Sequence, residues 1–127
     1  MSILATVFVG ITALLHVYIF MMESIQWRQP RIWKRFGLAS QADADTTAPL
    51  AYNQGFYNLF LAVGAVIGLV LFYTPAHEAG FTLAVFTMAS IVLAAVVLLS
   101  TGRDRLRSAA LQGTPALLGL VFLLLAG

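Results

Sequence analysis

Four long apolar runs leave this chain few ways to fold. They occupy approximately residues 3–26, 51–72, 81–100 and 108–126. Each is close to the ~20 residues that a helix needs to cross a hydrocarbon core about 30 Å thick. Backbone groups in hydrocarbon find no water to bond, so spanning segments are helices or closed barrels. The runs lack the alternating apolar and polar positions of barrel strands, so helices are expected. Charged residues make up 9% of the 127, against about 25% in a soluble domain. Lipid must then solvate most of the surface. The sequence reads as an all-α integral membrane protein, one domain over 1–127 built as an antiparallel bundle of four transmembrane helices. The first run has its charges after it and is too long for a signal-peptide core, so it reads as a permanent span.

The charges orient the bundle. Arg28, Arg31, Lys34 and Arg35 lie between the first and second runs, and Arg103, Arg105 and Arg107 between the third and fourth. The loop 73–80 and both termini carry no Lys or Arg. The positive-inside rule therefore places both basic loops in the cytoplasm and both termini outside, in the cell (inner or plasma) membrane. Cations that flank apolar runs orient a protein in a bilayer and do not imply nucleic acid. Membrane lipids are the expected partners, followed by a small apolar ligand and a second copy of the chain.

The loop 27–50 is the long one. Its first half mixes cations with aromatics, and Ile32, Trp33 and Phe36 fall on one side of a short helix. Pro30 suits the first turn of that helix and Gly37 its end. It is expected to lie at the interface, apolar side in the lipid and cations near the headgroups. The second half, 39–49, carries Asp43, Asp45, Thr46 and Thr47 and reads as a solvated connector.

Ionisable side chains are expensive in lipid and each asks for a reason. His16 lies just past the middle of the first run, and Glu23 follows seven residues later, about 10 Å along the axis on the same face. The second run opens with Asn53 and Tyr57 four apart, and Gln54 and Asn58 four apart, two adjacent polar stripes. The fourth enters from the same side with Gln112. Three spans thus carry polar groups at one depth, in the cytoplasmic half. His16 and Glu23 are the candidate catalytic, acid/base residues; Asn53, Gln54, Tyr57, Asn58 and Gln112 are the candidate ligand-binding residues. The plainer alternatives are interhelical hydrogen bonds for His16 and the amides, and for Glu23 a pairing with an arginine of the following loop. Gly64 and Gly68 form a GxxxG pair on the stripe of Asn53 and Tyr57, suited to close packing.

The strings His16-Val17-Tyr18-Ile19 with Glu23, Asn53-Gln54-Gly55 with Tyr57-Asn58, and Gln112-Gly113 with Pro115-Ala116 together resemble the family of small microbial membrane proteins catalogued as domain-of-unknown-function 1304. The resemblance covers nearly the whole chain. It implies a four-helix membrane protein and supplies no activity.

Function therefore rests on the residues. The leading reading is a polar pocket, open to the cytoplasmic leaflet, that binds or transforms a small apolar or amphipathic molecule. The alternatives are a subunit for proton-linked transport, through His16 and Glu23, and a structural accessory subunit with no ligand. No metal and no cofactor are expected: the chain has no cysteine, no H-x-x-H or E-x-x-H spacing, and no Walker or Rossmann pattern.

Overall fold

The computed structural model describes residues 2–127. Helix α1 covers Ser2–Phe20 and passes into a π-helical turn at Met21–Ile25. A short α2, Pro30–Trp33, runs on into a 3-10 turn at Lys34–Phe36. Helices α3 (Gln41–Phe72), α4 (His77–Ser100) and α5 (Leu106–Ala126) follow, α5 being preceded by a 3-10 turn at Arg103–Arg105. Four segments are long and apolar enough to cross a membrane: Ser2–Ile25, Gln41–Phe72, His77–Ser100 and Arg103–Ala126. Among the described residues there is no strand. The all-α, four-span architecture expected from the apolar runs is the one observed.

The chain forms two compact units, one of residues 1–15 with 61–127, the other of His16–Phe60. In the larger unit all four spans contribute to one core, with Ala5 and Val9 from α1, Ala62 and Ala65 from α3, Ala84 and Met88 from α4, and Ala116 and Leu123 from α5. Five of these eight are alanines. Lipid tails are as apolar as the side chains, so burial alone does not drive such helices together. Close van der Waals packing does, and small residues allow it.

The α3–α4 seam shows this residue by residue. A β-carbon on Gly64 would sit 3.1 Å from Thr87 Oγ1, and one on Gly68 2.8 Å from the Ala84 nitrogen. Near the turn, a β-carbon on Gly80 would lie 2.7 Å from Gly68 O. Falling positions on α3 meet rising positions on α4, the signature of an antiparallel pair. Gly64 and Gly68 thus serve packing, as their spacing suggested. Helix α4 starts at His77, earlier than the apolar run. Thr74 Oγ1 accepts the Ala76 N–H (3.1 Å), and Glu78 lies in the first turn, where its charge complements the helix dipole.

The smaller unit holds two corrections. The stretch 39–49, expected as a solvated connector, belongs to α3 from Gln41 on. Ser40 caps it: its Oγ accepts the Asp43 N–H at 3.1 Å and its carbonyl the Ala44 N–H at 3.2 Å. Such a cap typically contributes about 1 kcal/mol. Thr46 and Thr47 turn their hydroxyls back onto the Ala42 and Asp43 carbonyls, and the helix continues through Pro49.

The second correction concerns α2. The short helix is present, with Pro30 in its first turn and Gly37 left-handed at its end (φ 80°). Its apolar side chains do not face outward: Ile32 and Trp33 are buried. Trp33 Nε1 donates to Gln41 Oε1 (3.1 Å), and Trp27 Nε1 to the Ala44 carbonyl (3.1 Å). Phe36 packs on Trp27 with ring centroids 4.9 Å apart. Arg28 pairs with Asp45 at 2.9 Å, and Gln41 Nε2 donates to the Arg28 carbonyl at 3.0 Å. The extension of α3 supplies these partners, so the segment that was to lie in lipid folds onto α3 as a cap. Arg31, Lys34 and Arg35 remain on its exposed side.

Candidate functional site

The polar site is built where α1 loses its α-helical register. In the π turn the Gln26 N–H donates to Met21 O at 2.9 Å, an i→i+5 bond in place of i→i+4. Such bulges recur at functional sites, where they re-aim a side chain. Here the turn carries Glu23, which is only 9% exposed.

Asn58 on α3 meets it. Asn58 Nδ2 donates to Glu23 Oε1 at 2.6 Å and to the Gln54 carbonyl at 3.2 Å. Both partners are acceptors, which fixes the orientation of the amide. Directly beside this pair, Ser24 Oγ donates to the Tyr52 carbonyl at 2.8 Å. The approach depends on Gly55: a β-carbon there would lie 3.0 Å from the Ser24 nitrogen and overlap its hydroxyl. Phe56 packs edge-on against Phe20 and Tyr52, with centroids 5.1 and 5.0 Å away. His16, earlier on α1, is fully buried.

Glu23 has no cation partner among the described residues. The arginine pairing that the sequence left open does not occur: two of the loop's three arginines bond other residues and the third, Arg31, is exposed. Arg28 bonds Asp45, and Arg35 Nη1 donates to Tyr18 Oη at 2.7 Å. Among the described residues no group of three His, Asp or Glu is placed to hold a metal ion.

The remaining sequence candidates are placed differently. Asn53, Gln54 and Tyr57 are exposed, Tyr57 to 58%. Asn58 alone of that segment's polar side chains turns inward. Gln112 lies half-buried on α5 in the larger unit. Ser24, Tyr52 and Gly55 had no expected role at the site, Gly55 standing only in the string that carries the family resemblance. A signal for them existed: Ala51, Gly55, Asn58, Ala62 and Ala65 recur every three or four positions, and all are buried. Small residues mark the packed face of a membrane helix. That stripe places Gly55 and Asn58 inside and leaves Asn53, Gln54 and Tyr57 out.

A direct Glu23–Asn58 bond is also what helix glue would look like. The carboxylate is the part that glue does not require. Two amides would hold the helices as well, without the cost of withdrawing an ionisable group from water.

No curated protein and no solved structure matches the chain. One family model matches residues 10–124, and its description is protein of unknown function (DUF1304).

Proposed function

Since the chain belongs to the DUF1304 family, whose description assigns no activity, we propose its function from its geometry: it binds a small amphipathic molecule drawn from the lipid, at Glu23 and Asn58. The observation that carries this reading is a buried carboxylate, held on a π turn, that no cation among the described residues neutralises. The ligand's polar end would sit at Glu23 and its apolar part among Phe20, Tyr52 and Phe56. Gln54, one turn before Asn58, and the exposed Asn53 and Tyr57 would meet the molecule as it enters. His16 and Glu23 supply the acid/base pair for any proton transfer to what is bound.

Glu23→Gln tests the reading. A glutamine carbonyl can still accept from Asn58, so the packing bond survives and the charge goes. Native mass spectrometry after mild detergent extraction should show a small-molecule adduct on the wild type that is absent from Glu23→Gln. The thermal midpoints of the two proteins should agree. No adduct on either protein, with Glu23→Ala destabilised by about 0.6–2 kcal/mol as for a lost interhelical contact, would leave helix glue as the whole role.

The site's position follows from the charge split between the loops. All seven Lys and Arg lie in two of them, which in the cell membrane sets the cap, and Glu23 just before it, in the cytoplasmic leaflet. A reporter fused to the C-terminus is expected outside the cell, and a tag inserted at 43–47 inside. Cytoplasmic labelling of the C-terminus would reverse the topology and move the site to the other leaflet.

A further inference from the structure

Counting donors and acceptors at the site narrows the ligand. Asn58 has two N–H donors, and both are used, on Glu23 Oε1 and the Gln54 carbonyl. The Ser24 hydroxyl is spent on the Tyr52 carbonyl. Arg28 and Arg35, the arginines with bonds in this unit, are held by Asp45 and Tyr18. What Glu23 and Asn58 still offer is acceptor capacity: the rest of the Glu23 carboxylate, which has about four lone-pair positions, and Asn58 Oδ1, to which nothing donates among the described residues.

We propose that the ligand of this site carries a primary ammonium headgroup on an apolar chain. The proposal rests on the binding function inferred above and specifies its substrate class. An ammonium brings three donors and no acceptor, the complement of a site that has acceptors left over. It also supplies the positive charge that Glu23 lacks. An alcohol brings one donor and leaves the charge uncompensated. A carboxylate headgroup brings a second negative charge into a medium of low dielectric, where like charges repel strongly. The ring faces of Phe20, Tyr52 and Phe56 favour a cation in the same neighbourhood.

Three probes of equal chain length separate the possibilities: dodecylamine, dodecanol and dodecanoate, each titrated by calorimetry onto the full chain in a nonionic detergent. Dodecylamine should bind saturably at one per chain, and about tenfold or more weaker to Glu23→Gln, since a lost charge-assisted bond of about 1.4 kcal/mol or more corresponds to that factor. Dodecanol and dodecanoate should bind at least as weakly as dodecylamine does to the variant. Tighter or equal binding of dodecanol or dodecanoate, abolished by Asn58→Ala, would overturn the ammonium class and leave the site standing. Undiminished binding of dodecylamine to Glu23→Gln would likewise overturn it. Saturable binding of none of the three would remove the ammonium class, and Glu23→Gln adducts equal to wild type would remove the site itself.

Discussion

Gly80→Val is expected to be the most damaging single substitution in the larger unit. A β-carbon there would lie 2.5 Å from the Leu71 carbonyl carbon and 2.7 Å from Gly68 O, and would overlap the Phe72 nitrogen. All three obstacles are backbone. No rotamer change relieves them, so α4 must draw away from α3 and the seam from Gly80 to Gly64 loosens with it. The expected loss is about 3 kcal/mol, the upper part of the range for overpacking, read as a lowered midpoint on titration with SDS. Two controls sharpen the test. Gly64→Ala meets a side-chain oxygen at 3.1 Å, which can give way, and should cost far less. Gly10→Ala meets nothing within 4 Å and should be neutral or gain up to about 1 kcal/mol of helix propensity. Equal midpoints for Gly80→Val and Gly10→Ala would refute the close seam.

The second large effect is expected in the cap. Trp33→Ala empties a buried site and removes the bond to Gln41. Losses of this kind cost about 3–5 kcal/mol. The cap is otherwise held by Trp27 with Phe36, Ile32, the Arg28–Asp45 pair and single bonds from Gln41 to the Arg28 carbonyl and from Arg35 to Tyr18, so the loss should open it locally and leave the spans intact. Backbone amide exchange over 27–47 should quicken roughly a hundredfold or more, and trypsin should cut at Arg31, Lys34 or Arg35. Trp33→Phe, which keeps most of the volume and loses one hydrogen bond, should cost only about 1 kcal/mol. Unchanged exchange in Trp33→Ala would restore the expectation that this side chain lies in lipid.

That expectation shows where the sequence was legible. The four spans could be read because each is a long apolar run, and the solvent of a segment is written in its composition. The cap could not. Trp33 and Ile32 are as suited to a lipid surface as to a protein core, and what decides between them is whether a partner surface exists. Here the partner is the start of α3, hidden in a stretch whose aspartates, threonines and proline resemble a loop. Its helical signal is confined to Ser40, whose hydroxyl meets the Asp43 N–H. At the site, Glu23 and Asn58 were both singled out, but not as a pair. Four polar side chains within six positions of one helix point in several directions, and only the small-residue stripe through Gly55 tells which of them faces inward.

The π turn has a consequence for how this helix tolerates insertions and deletions. A π turn is an α-helix with one residue more than its register needs. Deleting any one residue between Met21 and Ile25 therefore lets an unbroken α-helix run through the segment, with every backbone bond still made. What does not change is the phase of the flanks. A residue of an α-helix advances by about 100° and a residue of the wider π turn by less, so the turn absorbs its surplus residue without rotating the helix on either side. The chain can thus shed this residue and remain a helix. What the surplus residue maintains is the widened turn itself, with Glu23 on it.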